Sequence, residues 1–271
     1  MTARRLATKY VEKPWGSDHL PPLFPDAHGQ RIGEVWFDGP PGEHPALLVK
    51  YIFTSERLSI QVHPTDAQRH DLGLPSGKTE CWYILDAEPD ARLGLGTLAP
   101  LSGDALRAAA LDGSIQRLMD WKPARPGDFF FVPAGTVHAI GAGITLVEVQ
   151  QNVDVTYRLY DYGRPRELHL DDGVAVSVAE PYRRAAPNLA AVGAADLLDR
   201  WEAPFSLILR SHDAGDGATI GTAGQPGWFV PLTGTGTLNG QPWEAGECWL
   251  LDGQAALACT APTRTLIATI P

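Results

Sequence analysis

The segment PGDFFFVPAGTVH, residues 126–138, decides the fold class of this chain. Its Gly-Asp turn is followed by four apolar residues, which is the length of a buried strand. Pro133 and Gly135 then bend the backbone and are expected to aim His138 inward. The segment therefore predicts strand structure interrupted by turns, with a histidine directed to the interior.

Short strands separated by turns extend on both sides of this segment. The chain has 271 residues with 28 glycines and 23 prolines, which suits many short strands better than a helical bundle. The predicted strands are IGEVWF (32–37), ALLVKYIF (46–53), LSIQVHP (58–64), ECWYIL (80–85), ITLVEVQQ (144–151), VTYRLYDY (155–162), FSLILRS (205–211), GWFVPLTGTGTLNG (227–240), ECWLL (247–251) and TLIATI (265–270). We expect ARLGLG (91–96) to be the hairpin partner of ECWYIL.

Residues 102–119 depart from the strand pattern and predict a helical insertion. Ser102 or Asp104 can cap a helix, and Gly113 is expected to divide two short helices. Three apolar residues share one helical face: Leu106, Ala109 and Ala110. The alanine-rich stretch 181–198 is expected to connect two β-rich halves.

The charge balance restricts the partners of this chain. Its formal net charge of −10 argues against a nucleic acid or an anionic membrane surface, since either would be repelled. A small anionic substrate is still compatible if a few lysines or arginines converge in one cleft.

The thiols and the N-terminal residues predict a cytoplasmic protein. Cys81, Cys248 and Cys259 are odd in number and have no CxxC spacing, which fits reduced, buried thiols. The first 16 residues include two arginines but no apolar stretch of signal-peptide length, and the apolar runs elsewhere are strand-sized. Nothing in the sequence specifies an oligomeric state.

Four polar residues from separate stretches are candidates for one metal site. Gln61 and His63 lie two apart in a predicted strand and share one face, whereas Val62 points the other way. Glu80 begins a second strand, and His138 can supply a second imidazole. Nitrogen and oxygen ligands without thiolate suit catalytic zinc, manganese or iron with a position left open.

These stretches together resemble a known family. Gly127–His138 follows the second cupin motif, G-x5-P-x-G-x2-H, and QVHPTD with GKTE resembles the first cupin motif in the Gln-x-His form of type I mannose-6-phosphate isomerases. Six motifs occur in the expected order within the first 170 residues: KPWG (13–16), IGEVW (32–36), LSIQVHPTD (58–66), GKTECWYIL (77–85), PGDFFFVPAGTVHAIG (126–141) and QNVDVTYRLYDYGR (151–164). The chain is also similar to the short bacterial branch of that family.

The resemblance implies a fold, a metal and a substrate class. It implies two cupin jelly-roll barrels, with residues 1–182 as the metal-binding domain and 183–271 as a degenerate second domain. The second half repeats a cupin-like turn and strand in residues 233–251 but lacks the ligands, and His212 is its only histidine. One zinc ion per chain would be held by Gln61, His63, Glu80 and His138, and the substrate would be a small sugar phosphate.

The implied reaction interconverts an aldose and a ketose by moving a proton between C1 and C2. Lys78 lies two residues before Glu80 and would project to the same side, although this spacing fits a solvated loop lysine equally well. In similar enzymes a glutamate and an arginine occur at the separation of Glu148 and Arg158. We hypothesise that Glu148 or Lys78 moves the proton and that Arg158 stabilises the enediolate charge.

Further residues are predicted to contact the substrate. Trp15 and Glu34 belong to shared motifs and would line the pocket, although core packing of Trp15 is an equal alternative. Asp154 carries over from the N-x-D-x-T stretch, where valines replace the usual hydroxyl residues on both sides. Arg158 and Arg164 are the candidates for phosphate binding, because guanidinium groups bind phosphate through two parallel hydrogen bonds.

Two other functions use the same barrel. An iron-dependent cupin dioxygenase would share the metal ligands but would not need Lys78, Glu148 and Arg158 together. A non-catalytic sugar-binding cupin would bind its ligand without exchanging the C2 proton.

Overall fold

The computed structural model describes residues 2–25, 29–40 and 42–270. Within these ranges the first part of the chain forms β1 (Ala3–Arg5), β2 (Ala7–Ser17), β3 (Ile32–Asp38), β4 (Leu47–Thr54), β5 (Ile60–Val62), β6 (Glu80–Ala87), β7 (Arg92–Thr97), α1 (Gly103–Asp112), α2 (Ile115–Leu118), β8 (Met119–Pro123), β9 (Phe129–Val132), β10 (His138–Ile140), β11 (Ile144–Gln151), β12 (Tyr157–Tyr160) and α3 (Leu170–Val176). The second part forms β13 (Ala194–Asp196), β14 (Ser206–His212), β15 (Gly217–Ile220), β16 (Pro226–Thr233), β17 (Thr235–Leu238), β18 (Gln241–Glu244), β19 (Trp249–Asp252), β20 (Ala255–Cys259) and β21 (Thr263–Thr269). No helix in the described ranges has the length and apolar character needed to span a bilayer.

The strands of the described ranges form four antiparallel sheets. The first half contains a six-stranded sheet in the order β2-β3-β4-β11-β6-β9 and a five-stranded sheet in the order β12-β5-β10-β7-β8. The other half contains a six-stranded sheet, β1-β19-β16-β21-β14-β13, and a four-stranded sheet, β15-β20-β17-β18. The predicted all-β class is confirmed, with each half built from a large sheet facing a smaller one.

Apolar residues fill the space between successive layers. One core lies inside the first sheet pair and includes Trp82 and Leu95, and another lies inside the second pair and includes Trp243. A third core joins the two six-stranded sheets face to face, with Val49 from one and Trp228 from the other. The halves are therefore packed through a common apolar core rather than through a polar contact.

The helical insertion covers the outer face of the five-stranded sheet. The Ser102 hydroxyl accepts a hydrogen bond from the Ala105 amide and caps α1, while Gly113 ends it with a left-handed φ of 75°. The residues predicted to share one face are all buried against the sheet: Leu106, Ala109 and Ala110. Both the cap and the dividing glycine follow the prediction.

The predicted hairpin of β6 and β7 is wrong. β6 pairs with β9 and β11, whereas β7 pairs with β8 and β10 in the opposite sheet. Neighbouring strands in a sequence usually pair, but in this fold the connection after Ala87 crosses from one sheet of the barrel to the other. The crossing places β7 beside the strand that begins with His138.

One strand from the start of the chain joins a sheet of the second half. β1 pairs with β19, so Ala3–Arg5 lies in the sheet of the second half although it begins the first. The predicted domains are residues 1–182 and 183–271. Their outermost residues, Met1 and Pro271, lie outside the described residues. The division itself stays a prediction.

Candidate active site

Strand alternation gives the first barrel a polar inner face. Val147 and Val149 on β11 point outward into the core shared by the two halves, so Glu148 between them points into the barrel. Lys50 on β4 is directed inward in the same way and lies opposite Glu148 in the strand register. The sequence therefore builds a charged cavity on the reverse side of an apolar packing face.

The candidate metal ligands meet at one place in this cavity. Gln61 on β5 lies opposite His138 on β10, and the inward face of β6 brings Glu80 to the same point. His63 Nε2 lies 3.4 Å from Glu80 Oε2, and His138 Nε2 lies 3.4 Å from Glu80 Oε1. The ligand atoms of His63, Glu80 and His138 fall within 4.8 Å of one another, and all three residues are buried.

The protonation states suit a metal site. Burial lowers the pKa of His63 to about 3, and the Lys78 ammonium adds to this effect. The pKa of His138 is also lowered, again chiefly by burial. Burial opposes ionisation of Glu80, but Lys78 and the two histidines hold the pKa of its carboxyl well below the usual range. At neutral pH the site thus offers one carboxylate and two neutral imidazoles.

The unpaired atoms of the site fit a divalent cation. Glu80 Oε1 is buried and has no hydrogen-bond partner among the described residues, whereas Oε2 lies 3.2 Å from the Lys78 ammonium. His138 Nδ1 donates to the Thr136 carbonyl at 2.8 Å, which leaves the Nε2 lone pair free to bind a metal. The Gln61 amide presents Nε2 to His138 Nε2 at 3.3 Å, and a cation would require its oxygen there instead. Two imidazoles, a carboxylate and an amide are ligands that zinc accepts.

Lys78 lies beside these ligands. Its Nζ is 2.9 Å from His63 Nε2 and 3.2 Å from Glu80 Oε2, and the residue is only 5% exposed. This burial excludes the interpretation of Lys78 as a solvated loop lysine. The ammonium group already shares Glu80 and His63 as partners, so it would be an immediate neighbour of any bound cation.

We expect the metal-free protein to lose stability as the pH falls from about 6.5 towards 3. Because the pKa of His63 is about 3 in the folded chain and 6.5 ordinarily, the unfolded chain binds a proton over this interval that the folded chain does not. The contribution of neutral His63 to stability is therefore complete above pH 6.5 and declines below it. Thermal unfolding of chelator-treated protein between pH 8 and 4 measures the decline. A His63→Asn variant should give a shallower slope, and equal slopes would contradict this origin.

A cavity of about 290 Å³ opens above the candidate ligands. This volume lies at the lower end for ligand pockets and suits a small polar molecule. Its charged lining consists of five cations, Lys13, Lys50, Lys78, Arg158 and Arg166, and three carboxylates, Glu34, Glu148 and Asp154. The cavity is thus a cationic region in a chain whose net charge is −10, and it favours an anionic ligand.

Glu148 is held by two partners inside the cavity. The Trp82 indole nitrogen donates to its Oε1 at 3.0 Å, and Lys50 Nζ lies 3.2 Å from its Oε2. Burial and the nearby charge of Glu80 raise the pKa of Glu148. Burial alone would lower the pKa of Lys50, but the carboxylates of Glu148, Glu34 and Glu80 together raise it. Glu148 is therefore a basic, fixed carboxylate paired with a charged lysine.

Most of the predicted substrate residues line this cavity. Trp15, Glu34, Asp154 and Arg158 all do so. Trp15 is only 3% exposed and also packs in the barrel core, so both of its predicted roles are compatible with its position. The Glu34 carboxylate is fixed by the indole nitrogen of its strand neighbour Trp36 at 2.6 Å.

The structure does not bring Arg164 into the cavity. Its guanidinium donates to the Arg57 carbonyl oxygen and lies 3.7 Å from Asp161, away from the lining described above. The reason is the turn at Tyr162 and Gly163, where left-handed φ values of 55° and 81° redirect the chain after β12. Arg166 lines the cavity, although sequence reasoning did not identify it.

Lys13, Lys50 and His169 are the other charged or titratable lining residues that the sequence interpretation missed. Lys50 carried a detectable signal, because it is a charged residue in the middle of the apolar strand ALLVKYIF. His169 lies in an irregular segment before α3, where no periodicity predicts the direction of a side chain.

Comparisons with known proteins identify relatives of this chain. No protein-family model matches it. The mannose-6-phosphate isomerase ManA of Bacillus subtilis is 43% identical over 162 residues, which cover 55% of this chain and 51% of that protein. The crystal structure of the mannose 6-phosphate isomerase from Bacillus subtilis matches with a TM-score of 0.78 and 25% identity over the full length of both chains. The chain is similar in sequence and in fold to mannose-6-phosphate isomerases.

Other mannose-6-phosphate isomerases are also similar to this chain. The Streptococcus mutans enzyme is 35% identical over 175 residues, covering 62% of this chain and 55% of that protein. A zinc-bound mannose 6-phosphate isomerase structure has 15% identity and a TM-score of 0.73 over both full chains, which shows likeness of fold. The chain spans about half the length of the curated mannose-6-phosphate isomerases that it matches.

Proposed function

We propose that this protein is a zinc-dependent mannose-6-phosphate isomerase that interconverts mannose 6-phosphate and fructose 6-phosphate. One zinc ion per chain would be held by Gln61, His63, Glu80 and His138. The observation that carries the proposal is the buried Glu80 carboxylate, which lies between two neutral imidazoles, 3.4 Å from the Nε2 atom of each. Gln61 of this ligand set also lines a cationic cavity of a size that suits a small polar ligand.

The comparisons support the substrate and the metal. The relatives in Bacillus subtilis and Streptococcus mutans are named mannose-6-phosphate isomerases, and a structure with the same fold is described as zinc bound. These names favour an isomerase over a dioxygenase or a non-catalytic sugar-binding protein. The excess of lysine and arginine in the cavity lining supports a phosphorylated sugar over a neutral one.

In the proposed reaction one proton moves between C1 and C2 of the open-chain sugar, and a second proton moves between the oxygens O1 and O2. A divalent cation at the site supplies positive charge that polarises the substrate carbonyl. Glu148 takes the proton from one carbon and returns it to the other, because its raised pKa makes it a stronger base than an ordinary carboxylate. Trp82 and Lys50 hold the two carboxylate oxygens in place during the transfer.

Cationic side chains stabilise the negative charge that develops on the sugar oxygens. Arg158 lies opposite Gln61 in the strand register, and both residues line the cavity. Lys78, at 3.2 Å from Glu80, can donate a proton or a hydrogen bond to an oxygen of the substrate. The buried ring of Trp15 closes part of the cavity and excludes water.

A coupled assay tests the proposal. We expect the purified protein to form fructose 6-phosphate from mannose 6-phosphate, to lose this activity after treatment with a chelator, and to regain it with zinc. Metal analysis should give one zinc per chain. In deuterated water the C2 position should exchange its proton during turnover.

The alternatives predict different results in the same preparation. Oxygen uptake that depends on iron, without fructose 6-phosphate, would support a dioxygenase and contradict the proposal. Saturable binding of the sugar phosphate without C2 exchange would show a binding protein instead.

A further inference from the structure

A row of polar residues extends from the candidate ligands across the five-stranded sheet. His138 lies opposite Gln61, and Gln61 lies opposite Arg158 on the next strand. The His169 amide donates to the Arg158 carbonyl at 2.8 Å, so the segment after β12 adds one further position to the row. Because adjacent strands are about 4.8 Å apart, the His169 main chain lies roughly 10 Å from that of Gln61.

His169 has one nitrogen free for a ligand. Its Nδ1 accepts a hydrogen bond from the Arg158 amide at 3.2 Å, so in the neutral imidazole the proton is on Nε2. The His169 side chain lines the cavity. Since Nδ1 is engaged with the protein, Nε2–H is the donor that remains for a molecule in the cavity.

The guanidinium groups of Arg166 and Arg158 are fixed in a similar way. Arg166 donates from Nε and Nη2 to the two oxygens of Asp161 at 2.6 and 2.7 Å, and Asp161 is only 2% exposed. Arg158 donates from Nε to the Glu167 carbonyl at 2.9 Å. Each arginine therefore uses one edge to hold its position and keeps further N–H groups, while both line the cavity.

These two positive charges lie close to each other. Burial lowers the pKa of Arg158, and the charge of Arg166 lowers it further. Two positive charges on one cavity wall repel each other, so binding of an anion between them is favoured. Guanidinium groups also match the geometry of phosphate oxygens. Arg166 and His169 thus present hydrogen-bond donors to the cavity, and Arg158 adds a further positive charge to its lining.

We propose that Arg166 and His169 bind the phosphate group of the substrate. This inference rests on the proposed function, because it takes the reacting carbons to lie at the candidate metal ligands. Six bonds separate C2 of a hexose 6-phosphate from phosphorus, and at about 1.5 Å each they allow at most roughly 9 Å. The distance of roughly 10 Å between the main chains of Gln61 and His169 is close to this length. The subsite would select phosphorylated sugars over neutral ones.

Two variants test the subsite in the zinc-loaded full chain. Arg166→Met removes one guanidinium, and His169→Asn removes the Nε2 donor while its amide oxygen can still accept from the Arg158 amide. We expect each to raise KM for mannose 6-phosphate roughly 10- to 100-fold with kcat changed only a few-fold, since each loses one hydrogen bond to a charged group. Arg107→Met is the matched control, because Arg107 forms an exposed ion pair with Asp171.

Binding of inorganic phosphate, measured by calorimetry, separates this inference from the proposed function. Phosphate binding that weakens at least tenfold in both variants but not in the control supports the subsite, even if mannose 6-phosphate is not isomerised. Isomerisation with unchanged KM and unchanged phosphate affinity in both variants would overturn the subsite and leave the function intact. If Arg166→Met fails to fold by circular dichroism, His169→Asn alone decides between these results.

Discussion

Replacing Glu80 with glutamine is expected to remove bound metal and to lower isomerase turnover by at least about a thousandfold. The carboxylate is the only anionic member of the proposed ligand set, and a metal that stabilises transition-state charge contributes several kcal/mol. Glutamine has nearly the same shape, so the strand and its pairing with β11 are retained. Metal analysis and the coupled assay, performed on the same preparation, measure both effects.

The control for this variant is Glu180→Gln, which makes the same chemical change at an exposed position. It should retain its metal and its full turnover. Because Glu80 is also the counter-charge of buried Lys78, the variant must be shown to be folded by circular dichroism before its turnover is interpreted. A folded Glu80→Gln protein with normal zinc content would refute the proposed ligand set.

Replacing Arg158 with alanine is expected to lower kcat about 100- to 1,000-fold while the zinc content stays at one per chain. Arg158 lies opposite Gln61 in the register and lines the cavity but is absent from the cluster of ligand atoms, so its removal would take away charge stabilisation and leave the metal. An Arg158→Lys variant keeps the charge but loses the planar fork, and it should recover only part of the rate.

Arg107→Ala provides the comparison for a surface arginine and should not change kcat. Zinc content, measured alongside the rate, separates a catalytic effect from a loss of metal. Near-normal turnover of the folded Arg158→Ala protein would exclude Arg158 from stabilising the transition state.

The part of the site that lies on regular strands was predictable from the sequence. Side chains alternate along a strand, so the shared face of Gln61 and His63 followed from their spacing, and the observed cluster with Glu80 and His138 agrees with it. The same alternation places Lys50 inside the barrel, although the sequence interpretation did not use it.

Features that depend on the path of the backbone between strands could not be predicted from the alternation of side chains. Periodicity does not show which sheet a strand joins, so β7 was assigned to the wrong neighbour. Nor does it follow the backbone through a turn with left-handed residues, so Arg164 was chosen where Arg166 lines the cavity. Arg164 belongs to a motif of the resembled family, but the resemblance does not show in which direction its side chain points.

The face-to-face packing of the two large sheets links the ligand-free half of the protein to the proposed chemistry. Glu148 and Lys50 alternate along their strands with Val147 and Val49, which contact the same interior as Trp228. Protein interiors are close-packed and yield little, so a truncated side chain at Trp228 would shift the backbone that carries the proton-transfer group. The second half thus supports the strands that carry Glu148 and Lys50, and its apolar residues would set the precision of the proposed proton transfer without contacting the substrate.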